Sequence, residues 1–357
     1  MIYLDHNATA PVHPAVLEEM WPLFTEKWGT ASSSYRFGSQ MKGVLEKARV
    51  QVASLLGASA REIIFTGCAT ESNNAAIHAA LVAHPEKRHL ITSKAEHSSV
   101  LQYAQAMEKM GVRVTYLGVD RDGLLDLAEL EAALSSETAV VSLMWANNET
   151  GVLFPVREIG ELCHANGALS HCDAVQAAGK ISIDLASLPI DYLAVAGHKI
   201  GAPKGVGALY VRKQAPFSPY LHGGHQEHGR RGGTENLALI AGLGKAAEIA
   251  LQEQPHFDSK VRPLRDALEN GILEAVPSAE LNGHKTQRLS NTSNFSFPGI
   301  EAEALFAITR CRRHLRFVRF GMSGRCRRTF ARRLRYETRN RRPPNAAFFA
   351  GSREFAE

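Results

Sequence analysis

The chain has 357 residues, 45% of them hydrophobic, enough to bury a large core and to build a large and a small domain. Its formal charge of +5 averages two unlike pieces: residues 1–305 carry a charge of −7, whereas residues 306–357 carry 15 arginines, no lysine and three acids, a charge of +12. No apolar run approaches about 18 residues, which excludes a membrane-spanning helix. The five cysteines, Cys68, Cys163, Cys172, Cys311 and Cys326, fit neither a disulfide frame nor a tight zinc pattern. No metal site is expected. The first residues read as a strand rather than a secretion signal, so reduced thiols and a cytoplasmic location are expected.

In chain order, residues 1–15 read as an N-terminal arm. Residues 16–250 alternate strand and helix patterns, the signature of a large α/β domain. Ile63-Ile64-Phe65-Thr66 is a strand that runs into Gly67, and a helix pattern begins at Thr70. The unbonded N–H groups at that helix start, with the Thr70 hydroxyl, suit a phosphate. The strand Leu90–Ser93 leads to Glu96-His97, where an imidazole can stack on a flat ring and exchange protons with it. The strand Ala139–Leu143 leads to Met144-Trp145-Ala146-Asn147-Asn148-Glu149-Thr150-Gly151, whose paired amides offer donors to a carboxylate or a ring oxygen.

The stretch Ala168–Cys172 ends at Asp173, with Gln176 three residues on. A carboxylate at a strand's carboxyl end is what pyridoxal phosphate chemistry needs opposite a protonated pyridine nitrogen; a nearby glutamine can donate to the ring oxygen. The strand Asp191–Ala196 ends in Gly197-His198-Lys199, followed by a Gly/Pro loop and the strand Ala208–Val211. A lysine walled by glycines at the end of a buried strand is placed to lose its proton and form a Schiff base. Each feature alone has a plainer reading: a surface-turn lysine, a helix-capping aspartate, an ordinary helix start, a loop histidine. Together the clusters fit a parallel sheet whose strand ends line one crevice. Beyond residue 250, a helix over Asp258–Ala275 opens a smaller domain over residues 251–305, with Asn291–Phe297 as one of its strands.

At this point the resemblance is specific. The chain resembles the cysteine desulfurases, fold type I pyridoxal phosphate enzymes of the class V aminotransferase group, and is most similar to their nitrogen-fixation type. The matching text is Tyr3-Leu4-Asp5-His6-Asn7-Ala8-Thr9, Ala69-Thr70-Glu71-Ser72, Trp145 to Gly151, Asp173 to Gln176, Gly197-His198-Lys199 and the Gly-rich run Gly223 to Asn236. It covers residues 1 to about 305. The resemblance implies a large domain with a mainly parallel central sheet, a smaller α/β domain and bound pyridoxal 5′-phosphate. It implies that Lys199 carries the cofactor and that His97 stacks on its ring. Asp173 faces the ring nitrogen, and Gln176 and Asn148 reach the ring oxygen or the substrate carboxylate. Ala69, Thr70 and His198 bind the phosphate, joined by Thr234 from the neighbouring subunit of a homodimer. Ala196 departs from the pattern, since many relatives have a phosphate-binding serine there. The implied reaction converts L-cysteine to L-alanine and passes sulfur as a persulfide to an iron–sulfur scaffold or another acceptor. Selenocysteine lyase or another pyridoxal phosphate β-lyase is the alternative within the fold; Gly223-Gly224-His225-Gln226-Glu227 argues for the desulfurase. A non-catalytic, cofactor-binding remnant is the alternative from another class.

After Leu305 the character of the sequence changes. An Arg-rich tail suggests nucleic-acid binding or a solvated, poorly ordered segment. The genetic code suggests a third reading, with no specific nucleic-acid partner. Plausible codons for His314 to Ser323, read one base on, spell Ile-Cys-Ala-Ser-Ser-Gly-Ser-Ala-Cys, the catalytic loop of the family. With suitable codons the same shift over Arg325 to Thr338 can yield Asp-Ala-Gly-Glu-Pro-Ser-His-Val-Val-Cys-Ala-Met-Lys-Pro, which is how these enzymes continue. Residues 306–357 therefore read as out of frame. The codon of the nucleophilic cysteine is split between Met322 and Ser323, and the arginine that clamps the substrate carboxylate is not readable. Cys311 and Cys326 are near in number only, with nothing to place them as reactive thiolates.

Overall fold

The computed structural model describes residues 3–33, 35–300 and, as a strand alone, 345–350. The chain divides into two units. The first comprises Ala10–Asn147 and Leu153–Pro255; the second takes the described residues of Met1–Thr9, Asn148–Val152 and His256–Glu357.

The first unit is built on a seven-stranded sheet: β1 (Ile63–Thr66), β2 (His89–Ser93), β3 (Arg113–Leu117), β4 (Thr138–Ser142), β5 (Leu169–Asp173), β6 (Tyr192–Ala196) and β7 (Gly207–Val211). The order is β1-β7-β6-β5-β4-β2-β3. Six strands run one way; β7 runs against both its neighbours. Strands β1, β2, β4, β6 and β7 are buried along their whole length, as expected where helices cover both faces. The helices are α1 (Pro14–Thr25), α2 (Arg36–Leu56), α3 (Ala69–Ala83), α4 (Ser98–Lys109), α5 (Leu127–Ala133), α6 (Val156–Ala165) and the first part of α7 (Leu237–Ala275). Helix α3 presents Ala76, Ile77 and Ala80 to Ile64, Leu90, Val140, Tyr192 and Leu209. Small residues let it lie close on the sheet. Parallel pairing has one consequence for function: the turns after β1, β2, β4, β5 and β6 all leave the same edge.

β1 is an edge strand, and its outward backbone groups need partners. They find them in a buried ion pair. Arg49 of α2 donates to the Ile63 carbonyl at 2.9 Å, and Glu227 accepts the Phe65 N–H at 2.9 Å. The two side chains join through bonds of 2.6 and 2.9 Å, and the guanidinium lies 4.9 Å from the centroid of the Phe65 ring. Buried ion pairs are tolerable when every polar atom is satisfied in this way.

The second unit has an antiparallel sheet in the order β10-β9-β8, with β8 (Glu280–Leu281), β9 (Ser293–Pro298) and β10 (Asn345–Ala350). Phe295 and Phe297 point to one face of β9 and stack with centroids 6.1 Å apart, over Ala279. Arg288 and Glu269 form a buried pair at 2.7 and 2.5 Å, and Asn7 bonds Thr292 and Asn291 at 2.9 Å each.

Two elements differ from the sequence reading. The helix expected from Asp258 begins at Leu237. Buried residues on both sides of Pro255, among them Ala246, Ala247, Ala250, Phe257 and Val261, keep the helical repeat going, and this packing outweighs the missing donor. Asn345–Ala350 is a strand within a stretch for which no element was expected. The expectations for residues 306–344, the poorly ordered tail and the positions of Cys311 and Cys326, lie outside the described residues. Among those described, no helix is long and apolar enough to cross a membrane, and no cluster of side chains could hold a metal ion.

Two histidines are buried inside the sheet. His89 bonds the Thr138 and Thr115 hydroxyls, and His171 bonds Ser142. Burial lowers His89 to about 4, with Arg113 adding to the shift, and burial lowers His171 to about 3. Both stay neutral when folded while the unfolded chain takes up protons below about 6.5. Their contribution is present above that value and is lost as pH falls toward the folded values. Urea denaturation between pH 6.5 and 4.5 should show stability falling by about 1.4 kcal/mol per pH unit for each histidine. His89→Gln should remove one proton's share of that slope; an unchanged slope would show that His89 does not titrate in this way.

Candidate functional site

Asp173 ends β5 and is buried. Its Oδ1 accepts the Val175 N–H at 3.0 Å, closing the turn, and its Oδ2 accepts from Asn73 Nδ2 at 2.7 Å. The same Asn73 nitrogen donates to Ser99 Oγ at 2.8 Å, and Ser99 Oγ lies 2.8 Å from His97 Nδ1. His97 is also the N-cap of α4: its Nδ1 accepts the Ser99 backbone N–H at 3.2 Å. That bond fixes Nδ1 as an acceptor. The network therefore assigns the imidazole proton to Nε2 and has the Ser99 hydroxyl donate to Nδ1. A chain of hydrogen bonds thus runs from His97 through Ser99 and Asn73 to Asp173. Burial holds His97 below its usual pKa; Asp173 opposes the shift and Lys199 adds to it, so this imidazole lies within electrostatic reach of both.

Glu96, just before His97, is buried. Its Oε1 accepts the Met144 N–H at 2.7 Å, and its buried Oε2 has no hydrogen-bond partner. Burial raises its pKa well above the carboxylate range, and Asp173 raises it further. The shift favours the protonated form of Glu96, which lessens the negative charge beside Asp173.

Lys199 closes a single 3-10 turn, Gly197–Lys199, directly after β6. The turn is fixed from outside: Ala10 N–H donates to the His198 carbonyl at 2.8 Å and His13 N–H to the Gly201 carbonyl at 3.0 Å. A Cβ on Gly197 would sit 3.0 Å from Val206 Cγ1, so the wall there is close. His198 is lowered to about 4 by burial and then by Lys199, Lys204 and His97.

Helix α3 begins at Ala69, after a Cys68 N-cap that supplies no side-chain bond. The first N–H groups of a helix have no partner within it, and its dipole favours an anion there. Thr70 is exposed at this end. Gly207 of β7 has to be small, since a Cβ would approach the Cys68 carbonyl carbon to 2.9 Å. These residues fit a flat, anionic aldehyde cofactor: a helix start for phosphate, a fixed carboxylate for a ring nitrogen, a neutral imidazole and a strand-end lysine.

The aminotransferase class-V family matches residues 2–312. Cysteine desulfurase 2 of Trichormus variabilis is 53% identical over 307 residues, 85% of this chain and 76% of that protein. The chain belongs to the cysteine desulfurase family. A solved NifS-like protein superposes with a TM-score of 0.83 at 38% identity, covering 86% of this chain and 84% of that one. The solved structure titled "SspA in complex with cysteine" superposes at 0.81 with 34% identity, covering 92% of each chain. The fold is that of the NifS-like fold type I enzymes, and cysteine desulfurases are enzymes that depend on pyridoxal phosphate.

Within this member of the family the expected residues are not all in one unit. Ala69, Thr70, His97, Asp173, Gln176, His198, Lys199 and Thr234 belong to the first; Asn148 belongs to the second. There Asn148 donates to Glu149 at 3.3 Å, and its carbonyl accepts from Asn7 at 3.4 Å. Gln176 is buried, and its Oε1 accepts from Lys180 at 2.9 Å, which turns the amide nitrogen the other way as the donor end. Thr234 is exposed, just beyond Arg231. Sequence reasoning missed Asn73 and Ser99. The available signal was a polar pair, Ser72 and Asn73, on the buried face of an otherwise alanine-rich helix. Asn73→Ala should leave the Asp173 oxygen without that donor and cost about 1–3 kcal/mol. Urea denaturation measures this, and a change below about 0.5 kcal/mol would remove Asn73 from the network.

Proposed function

We propose that Lys199 binds pyridoxal 5′-phosphate and that the intact reading frame of this chain encodes a desulfurase acting on L-cysteine. The observation that carries the proposal is the chain from Asp173 through Asn73 and Ser99 to His97, with Lys199 in electrostatic reach of the imidazole. Bound pyridoxal phosphate would supply the electron sink for reaction at the amino acid's α-carbon. Asp173 would hold the proton on the ring nitrogen. His97 would stack on the ring with its protonated Nε2 at the crevice. Gln176 and Asn148 would donate to the ring oxygen or the substrate carboxylate. Ala69, Thr70 and His198 would bind the phosphate, with Thr234 supplied by a second copy in a homodimer. L-Cysteine as substrate is supported by the name of the desulfurase relatives and by the cysteine in the SspA structure's title. The products would be L-alanine and enzyme-bound sulfur, passed to an iron–sulfur scaffold or another acceptor in the cytoplasm.

Lys199→Ala tests the first half. The purified protein should show visible absorption on taking up the cofactor, and the variant should show none. A folded, colourless wild-type chain that ignores added pyridoxal phosphate would refute the assignment.

As written, the chain is read as lacking turnover. The family match ends at residue 312, and the alignment with the relative from Trichormus variabilis covers 76% of that protein. Sulfur abstraction needs a thiol within about 3–3.5 Å of the reacting sulfur. The frame reading puts that cysteine across Met322 and Ser323. The chain as given and a chain with its frame restored after Leu305 should therefore differ. Sulfide release from L-cysteine in the presence of a reductant is expected only from the restored form. Equal release from both would mean that a thiol of the present chain does the work.

A further inference from the structure

Glu71 is an awkward neighbour for a bound anion. It is the third residue of α3, in the first turn, with a carboxylate beside the N–H groups that would receive a phosphate. An acid there favours the helix dipole but repels an anionic ligand. Both of its oxygens are engaged. Oε2 accepts the Gly67 N–H at 2.7 Å and Arg231 Nη2 at 3.2 Å, and Oε1 accepts Arg231 Nε at 2.9 Å. The side chains are only 15% and 23% exposed, so solvent screens them weakly. Gly67 leaves room for this approach, since its Cβ would lie 3.0 Å from Glu71 Oε2.

Arg231 is also held in place. Arg230 donates to the carbonyls of Arg61 and Ile63 at 2.9 and 3.1 Å, and Glu227 is locked to Arg49. The Gly67–Thr70 turn and the segment around Arg231 are thus tied on opposite sides of one carboxylate.

We propose that Glu71 and Arg231 are a pair of positioning residues for the phosphate site: Glu71 shapes the turn through Gly67, and Arg231 cancels the charge that would otherwise repel the phosphate. The inference rests on the reading of Ala69 and Thr70 as phosphate ligands. It separates charge from scaffold. Loss of Arg231 alone leaves a bare carboxylate at the anion site, and loss of both partners leaves none. The double variant should therefore bind better than the single one, which a purely structural role does not produce.

The test uses the full chain freed of cofactor and titrated with pyridoxal 5′-phosphate or with pyridoxal, which has the ring and aldehyde but no phosphate. Visible absorption reports binding of each. Arg231→Gln should weaken pyridoxal phosphate binding roughly tenfold or more while changing pyridoxal binding by no more than about twofold. Arg231→Gln/Glu71→Gln should recover at least about half of that loss on a logarithmic scale. Protection of the cofactor-free protein against heat by inorganic phosphate should follow the same ranking. Equal losses for the two ligands, or no recovery in the double variant, would overturn the proposal and leave the pair a structural clamp. Should Arg231→Gln not fold, Arg231→Lys decides: it keeps the charge without the fork and should retain most of the preference for the phosphorylated ligand. Loss of that preference would overturn the charge argument. Failure of the underlying phosphate reading looks different, because the wild-type chain would then bind both ligands alike or neither.

Discussion

One side-chain amide holds the candidate site together. Asn73 gives its two amide protons to Asp173 and Ser99, and so ties α3 to the end of β5 and to the start of α4. Each partner is already bound to its own turn: Asp173 to Val175, Ser99 to His97. The carboxylate and the imidazole therefore share one rigid frame, although they leave different strands. This is preorganisation in its simplest form, with the groups that would face a cofactor locked by bonds that do not involve it. The hydrophobic packing of α3 on the sheet supplies the base for that frame, because Asn73 reaches Asp173 only if the helix lies close to the strands.

Much of this was legible in the sequence. β-Branched and apolar runs marked the inner strands, and the residues at their carboxyl ends marked the crevice, because parallel pairing sends those ends to one edge. Lys199, Asp173 and His97 became candidates in that way. Asn73, Arg49 and Glu227 did not. The Asn73–Asp173 bond spans 100 residues and the Arg49–Glu227 pair 178, and a buried polar side chain reads in sequence like an exposed one. The start of α7 was missed for another reason: proline near the middle of the pattern looks like a stop, and only burial on both flanks overrides it.

The two parts of the chain also differ in what they owe to pattern. Through residue 300 propensity, burial and hydrogen bonding agree, as they do in sequences selected to fold. In the Arg-rich stretch the composition carries no such agreement, and the family match stops at 312. β10 pairs with β9 in spite of this, from Asn345 opposite Pro298 to Ala350 opposite Ser293. Backbone pairing asks little of side-chain identity, so a strand partner is among the least demanding contributions a sequence can make.

The Arg49–Glu227 pair sets an order of events during synthesis. β1 is made early, but the carboxylate that accepts the Phe65 N–H follows 162 residues later. Until then the growing chain carries an open sheet margin and a lone guanidinium destined for the interior, a state open to wrong strand pairing and suited to chaperones. Closure of that margin waits for Glu227 and Arg230, and both lie upstream of residue 305.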